Sequence, residues 1–203
     1  MTVEKALQQL EELQRKIYAL QYAEAAISLS GVTAQDLYLA VNQVEPSLIR
    51  IDADELTYCL HIMVRYEIEK KMIAGEVAVS ELPALWAELM KEYLGVEVPN
   101  DRDGILQDSH WSGGSIGYFP SYALGSAYAA QFIHRMEQDI PVYELVAQGD
   151  FQTINAWLDT HIHQYGCFYS PAELFRRCCG EEFDPQYYMD YLTQKYTKIY
   201  RLS

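Results

Sequence analysis

Residues 107–131 read QDSHWSGGSIGYFPSYALGSAYAAQ, and this stretch decides the fold prediction. Its second half, from about Pro120 onward, is rich in alanine, glycine and serine. Small side chains allow a neighbouring helix to approach closely, because the distance between packed helices depends on the residues at their contact. The stretch therefore predicts a central, buried helix from about Pro120 to Gln138.

Helical patterns continue on both sides of this stretch. Apolar residues recur at steps of three and four over residues 3–27, 54–74 and 80–93, and again after Asp184-Pro185. Ser170-Pro171-Ala172-Glu173 is typical of a helix start, because an N-cap serine, a first-position proline and a third-position glutamate coincide. No convincing period-two strand is present. We predict an all-α fold, organised as a single domain over residues 1–203 with six to eight helices.

Local signals predict where several helices begin and end. Thr33, followed by Asp36, is expected to cap a short helix that ends before Pro46. Glycine is common just past a helix C-terminus, because it adopts the left-handed conformation without strain. Glycines at the ends of three apolar patterns are therefore expected to be C-caps: Gly75, Gly95 and Gly180.

Composition and charge exclude several classes of partner. Acidic residues outnumber basic ones by 29 to 15, so the net charge is −14. We therefore expect neither nucleic acid nor an anionic membrane surface as a partner, since both require basic faces. No apolar run approaches the ~20 residues of a transmembrane helix, and the charged N-terminus does not resemble a signal peptide. The four cysteines show no disulfide or metal-ligand pattern, so we predict a reduced, cytoplasmic protein.

His110 is the first candidate site residue, because a Gly-Gly turn and two tyrosines, Tyr118 and Tyr122, follow it. Imidazole and phenol groups both donate hydrogen bonds to a developing oxyanion. Glycines in the turn would allow the backbone to come close to a ligand. The alternative is purely structural, with His110 and Trp111 forming a corner before a buried helix.

Arg50 is the second candidate, within the segment IRIDADE over residues 49–55. A guanidinium binds a carboxylate through two parallel hydrogen bonds, so Arg50 is a candidate for holding an acidic ligand. The alternative is that Arg50 pairs with Asp52, Asp54 or a distant acid and stabilises a helix start. Spacing alone leaves both interpretations open.

Longer segments of the sequence resemble a known family. These are IRIDADELTYCLHIMVRYEIE (residues 49–69), HWSGGSIGYFPSYALGSAYAAQ (residues 110–131) and YLTQKYTKIYRL (residues 191–202). They closely resemble the C-terminal part of the thermostable zinc carboxypeptidases, the carboxypeptidase Taq family. The resemblance covers about residues 33–203. Residues 1–30 resemble the opening helix of the family more weakly.

The resemblance implies a helical cleft protein, usually dimeric, that removes C-terminal residues from peptides. The family binds one zinc ion through a His-Glu-x-x-His motif and a downstream glutamate. By this resemblance, His110 and a tyrosine would stabilise the oxyanion, and Arg50 would hold the terminal carboxylate of the substrate. The resemblance does not distinguish Tyr118 from Tyr122 in the oxyanion role, and we favour Tyr118.

The metal motif of the family is missing from these 203 residues. None of the five histidines, at positions 61, 110, 134, 161 and 163, is followed by Glu-x-x-His. His161 and His163 are two residues apart, so they would not share a helix face. We therefore expect no metal ligands and no cofactor. The chain is interpreted as the family fold without its middle part. We expect the surface that this would expose to drive formation of a homodimer. We also expect the N-terminal helix to fill part of the vacated groove.

Three functions remain open at this point. The preferred one is a non-catalytic homologue, a pseudo-peptidase that keeps the substrate and oxyanion side and binds a peptide or protein ligand. The alternative is a metallocarboxypeptidase that is active only with an unconventional metal site or a complementing chain. The third is a structural remnant in which the motifs only pack the core.

Overall fold

The computed structural model of the protein describes residues 31–202, and the regular elements in that range are helical. The eight α-helices are α1 (Ala34–Val41), α2 (Glu55–Ala74), α3 (Leu82–Leu94), α4 (Pro120–Met136), α5 (Val142–Gln148), α6 (Phe151–His161), α7 (Pro171–Cys179) and α8 (Gln186–Tyr200). Short 3-10 helices cover Arg50–Asp52, Val79–Glu81, Ile105–Gln107 and His163–Tyr165. The prediction of an all-α fold with six to eight helices is confirmed. The helix predicted over residues 3–27 lies outside the described residues.

The chain divides into two compact units, residues 1–43 and 44–203. In the first unit, Thr33 begins α1 with a capping box. Its hydroxyl accepts a hydrogen bond from the N–H of Asp36, and the Asp36 carboxylate accepts one from the N–H of Thr33 at 3.0 Å. The organisation of the chain as a single domain stays a prediction.

In the second unit, the helix ends follow the local signals. Asp54 precedes α2 and accepts hydrogen bonds from the N–H groups of Leu56 and Thr57, both at 3.0 Å. Gly75 ends α2 in the left-handed conformation, with φ of 70°. Ser170 caps α7 by accepting a hydrogen bond from the N–H of Glu173. These caps satisfy backbone groups that a helix end would otherwise leave without partners.

Three groups of buried side chains hold the second unit together. Helices α2 and α3 enclose the first group, which consists of Val64, Ile68, Leu82, Trp86, Leu89, Met90 and Leu94. Helices α4 and α8 enclose the second, made of Ala127, Tyr188, Leu192 and Tyr196. The third joins α4 to α5, α6 and α7 through Met136, Val142, Trp157 and Cys178.

Helix α4 is central, as predicted, because it contacts α2, α7 and α8. It is not buried all round, however. Only Ala127, Gln131 and Met136 are fully buried, whereas Gly125 and Ala129 are exposed. The small side chains of α4 therefore serve close packing on one side only, and the helix ends at Met136 rather than Gln138.

No pattern in the sequence predicted α5 and α6. Asp150 begins α6, because its carboxylate accepts a hydrogen bond from the N–H of Thr153. Trp157 is buried in the third group, and its indole N–H donates to Asp139 at 2.8 Å.

The two ends of the second unit lie side by side. The N–H of Val44 donates a hydrogen bond to the hydroxyl of Tyr200 at 2.8 Å, across 156 positions of sequence. Among residues 31–202, no helix combines the length and apolar character that a membrane crossing requires. All four cysteines are free thiols.

Candidate active site

The predicted site residues come together where the loop before α4 meets the start of α2. The loop carries Asp108 and His110, and the first turn of α4 carries Tyr122. The 3-10 helix that precedes α2 carries Arg50, and α2 itself carries Arg65. Positive φ angles at Gly114 (81°) and Gly117 (76°) allow the loop to turn tightly before α4.

His110 contacts both tyrosines. Its Nε2 lies 3.1 Å from the hydroxyl oxygen of Tyr122, within hydrogen-bond distance. The ring of Tyr118 stacks on the imidazole, with ring centroids 5.7 Å apart, and meets the ring of Tyr122 edge-on at 5.4 Å. Phe119 is buried beneath the imidazole at 4.5 Å. Tyr118 is 51% exposed, so the cluster faces solvent through this ring.

Asp108 is the charged centre beneath this cluster. Its Oδ1 accepts a hydrogen bond from Nη2 of Arg50 at 2.7 Å, and its Oδ2 accepts one from Nε of Arg65, also at 2.7 Å. Burial by itself would raise the pKa of Asp108, but the hydrogen bonds and charges of Arg50 and Arg65 outweigh it and lower that pKa below its usual value. Asp108 is therefore a carboxylate at neutral pH.

Arg50 is held from several sides and is only 7% exposed. Its Nη1 donates to the hydroxyl of Tyr58 at 3.1 Å, and its guanidinium lies 5.0 Å from the ring centroid of Tyr122. The acid that pairs with Arg50 is the distant Asp108. Asp54 instead caps α2. The predicted role of Arg50 in binding a substrate carboxylate stays a prediction.

Trp111 anchors the loop on the other side of His110. Its indole N–H donates to Oε1 of the buried Glu69 at 2.8 Å, and its ring meets Trp86 edge-on at 6.0 Å. The structural interpretation of Trp111 as part of a corner before α4 fits these contacts. His110 belongs to the same corner and also faces the tyrosines, so the two interpretations of this segment are compatible.

Sequence reasoning missed two members of this cluster. Asp108 and Arg65 were not predicted, although each forms an ion pair at the centre of the site. His61 is fully buried near the two arginines. The signal for Arg65 and His61 was their place in a row of polar residues four apart on α2, which also includes Thr57 and Glu69, and all four of these side chains are buried.

The part of the chain that the structure describes does not fit a zinc site. Over residues 31–202, no three His, Cys, Asp or Glu side chains converge so as to hold a metal ion. His161 and His163 bind separate partners, the carbonyl of Trp157 and the carboxylate of Asp159.

Comparison with known proteins decides the ancestry of this arrangement. The model of the family described as carboxypeptidase Taq (M32) metallopeptidase matches residues 2–196. The chain belongs to this family. Carboxypeptidase 1 of Bacillus subtilis is 44% identical over 177 residues, which are 87% of this chain and 35% of that protein. Thermostable carboxypeptidase 1 of Thermus thermophilus is 43% identical over 178 residues, with the same two coverages.

Solved structures of carboxypeptidase Taq family members share the fold. The M32 carboxypeptidase of Deinococcus radiodurans superposes with a TM-score of 0.85 at 38% identity, over 91% of this chain and 38% of that one. Metallocarboxypeptidase 1 of Trypanosoma cruzi superposes with a TM-score of 0.78 at 42% identity, over 81% of this chain and 34% of that one. The chain thus spans about a third of the length of the family members it matches.

Proposed function

We propose that this chain, by itself, is a non-catalytic member of the family that binds the C-terminal carboxylate of a peptide or protein. The observation that carries the proposal is the cluster in which His110 contacts Tyr122 and Tyr118 stacks beside it at the surface. Imidazole and phenol groups donate hydrogen bonds to an anionic oxygen. By family resemblance, His110 and Tyr118 or Tyr122 are the oxyanion side of the peptidase site.

The charges beneath the cluster support an anionic ligand. Arg50 and Arg65 carry two positive charges, and Asp108 between them carries one negative charge. These three side chains together carry one excess positive charge, and the Arg50 guanidinium lies 5.0 Å from the centroid of the Tyr122 ring, although the whole chain carries −14. Charges in a partly buried site act more strongly than in water. In this proposal Arg50 attracts the ligand from beneath the ring, since a direct contact would require it to leave Asp108 and Tyr58.

The proposed absence of catalysis rests on the missing metal motif. Hydrolysis by this family relies on a bound metal that makes a water molecule nucleophilic near neutral pH. None of the 203 residues forms a His-Glu-x-x-His motif, and residues 31–202 contain no cluster of metal ligands. The chain can therefore supply the oxyanion side of the reaction but not the attacking water.

Isothermal titration calorimetry with an N-acetylated tripeptide tests the binding proposal. The free-acid peptide should bind, and the same peptide with a C-terminal amide should not. His110→Ala and Tyr118→Phe should each weaken binding, whereas His134→Ala and Tyr143→Phe remove matching groups from exposed positions elsewhere and should change nothing. Equal binding of acid and amide, or no loss in the His110 and Tyr118 variants, would contradict the proposal.

A metal and activity assay separates this proposal from the two other functions. Zinc bound in a one-to-one ratio, together with release of the C-terminal residue from the tripeptide, would favour a metallocarboxypeptidase with an unconventional metal site. Release only in the presence of a second chain would favour complementation, as the coverage of about a third of each relative suggests. Loss of stability in His110→Ala, without any ligand binding by the unmodified chain, would favour a structural remnant.

A further inference from the structure

Nδ1 of His110 lacks a hydrogen bond even though it is buried. Among the residues that the structure describes, no acceptor or donor lies within hydrogen-bond distance of this nitrogen. Oδ1 of Asp108 lies 3.8 Å from this nitrogen, and the same oxygen accepts the hydrogen bond from Arg50. The other ring nitrogen, Nε2, faces the hydroxyl of Tyr122.

The two neutral tautomers of His110 differ in how they meet these neighbours. With the proton on Nδ1, an N–H dipole points toward the carboxylate of Asp108, and Nε2 accepts a hydrogen bond from the hydroxyl of Tyr122. With the proton on Nε2, a nitrogen lone pair faces the carboxylate, and the Tyr122 oxygen accepts. The first arrangement is electrostatically favourable and the second is not, because a buried lone pair and a carboxylate repel each other.

We infer that Asp108 is a positioning residue, which holds His110 as the Nδ1–H tautomer in the ligand-free protein. This inference deepens the proposed function and rests on it for the identity of the ligand. In the free protein, Nε2 is then a proton acceptor. When a carboxylate ligand arrives, Nε2 takes one proton from solvent, and the resulting imidazolium donates to the ligand or to Tyr122. Asp108 balances the added charge.

The groups around His110 are consistent with such proton uptake. Asp108 favours the imidazolium, and Arg50 and Arg65, which pair with the same carboxylate, oppose it in the absence of a ligand. Tyr118 and Tyr122, the ionisable groups contributed by α4 and the loop before it, are hydroxyls that can donate to the ligand. The negative charge of the ligand therefore shifts this balance toward protonation. Binding of a carboxylate is thereby coupled to binding of one proton.

Nitrogen-15 NMR of the histidine side chains in the full chain tests the tautomer. His110 is assigned by the signal that disappears in His110→Asn. At pH 8 we expect a protonated Nδ1 and an unprotonated Nε2. The Asp108→Asn variant should lose this tautomer, and the Tyr122→Phe variant should keep it. A protonated Nε2 in the unmodified protein, or a tautomer that changes in Tyr122→Phe, would overturn the inference. The spectra of the unmodified protein and of Tyr122→Phe decide this even if Asp108→Asn does not fold.

Calorimetry with the N-acetylated tripeptide tests the coupling to a proton. Repeated in buffers of different ionisation enthalpy, it should show uptake of about one proton on binding, and the affinity for the peptide should fall as pH rises. Binding without proton uptake would contradict the inference. An Nδ1–H tautomer without any peptide binding would instead contradict the proposed function while leaving the role of Asp108 intact, so the two failures are distinguishable.

Discussion

His61 lies on α2, four residues before Arg65, and none of its surface is exposed. Neither ring nitrogen has a hydrogen-bond partner among the described residues. Burial, together with the positive charges of Arg65 and Arg50, lowers the pKa of His61 to about 4 against the opposing effect of Asp108 and Asp54. His61 is therefore neutral in the folded protein near neutral pH, beside a site that already contains two guanidinium groups.

Acid is expected to destabilise the protein through His61. An unfolded histidine has a pKa near ~6.5, so protons bind the unfolded chain before the folded one as pH falls. The contribution of His61 is complete above that pH and is lost as pH falls toward about 4. Urea unfolding at several pH values should show a loss of up to ~3 kcal/mol from this residue.

The control for this prediction is His61→Leu. Because the ring nitrogens of His61 have no partners among the described residues, an apolar side chain of similar size should be tolerated at neutral pH. The variant should lose less stability than the unmodified protein between pH 7 and pH 4. Identical pH dependence in both proteins would show that His61 is not the group responsible.

At the residue scale, sequence reasoning identified Arg50 and the histidine and tyrosines of the cluster, but not Asp108 and Arg65 beneath them. His110, Tyr118 and Tyr122 lie within twelve positions of each other, and the structure brings them into one cluster. The partner of Arg50 lies 58 positions away, so spacing left Asp52, Asp54 and a distant acid equally open. Only the packing of α2 against the loop before α4 selects Asp108.

At the scale of elements, Asp54 is a cap that accepts three hydrogen bonds from the first turn of α2 and a fourth from the N–H of Glu45. Its carboxylate accepts from two backbone N–H groups and from the hydroxyl of Thr57 at 2.8 Å. Asp54→Ala should therefore reduce the free energy of unfolding by about 1–2 kcal/mol. Asp52→Ala, two residues earlier at an exposed position, should change it by less than about 0.5 kcal/mol. Equal effects in chemical denaturation would contradict the assignment of the cap.

Replacing either of two glycines by alanine should change the stability of the protein, in opposite directions at the two positions. A methyl group on Gly104 would meet Cγ1 of Val98 at 2.7 Å and the carbonyl of Asn100 at 3.0 Å, whereas one on Gly125 would meet nothing within 4 Å. Gly104→Ala should cost about 1–3 kcal/mol through overpacking. Gly125→Ala, within α4, should stabilise the protein by up to about 1 kcal/mol. Thermal unfolding of both variants checks the difference in sign.

Sequence reasoning was most successful for the ends of helices. Thr33 and Ser170 cap the helices that their local patterns indicated, because each cap involves residues three positions apart. Burial around a helix depends on distant neighbours instead. The small residues of α4 therefore predicted its central place correctly, but they did not show that only some of its residues, Ala127, Gln131 and Met136, are fully buried.

At the scale of the whole molecule, the predicted homodimer stays a prediction, and α2 offers the surface that best supports it. Leu56, Met63, Tyr66 and Ile73 are exposed and lie at steps of seven, three and seven, so they form one apolar strip along the helix. A second copy of the chain is the proposed occupant of this strip. Each copy carries −14, so repulsion between copies should weaken the dimer at low salt.

Sedimentation velocity tests this prediction. The dimer should be more populated in roughly 0.5 M salt than in dilute buffer, because the Debye length becomes short. Met63→Ser combined with Ile73→Ser should produce monomers, whereas Val79→Ser, at an exposed position outside α2, should not. A monomer at all salt concentrations would contradict the prediction.

The hydrogen bond between Val44 and Tyr200 brings the two ends of the second unit together, so we expect the fold to tolerate a different order of helices along the chain. Because the two ends of residues 44–202 are in contact, a short glycine-rich linker could join them. New termini could then be placed in the exposed segment around residues 99–102. Such a circular permutant should keep the far-ultraviolet circular dichroism of the original unit. In the permutant, the segment with Arg50 would lie in the C-terminal part of the new chain and the segment with His110 near the new N-terminus.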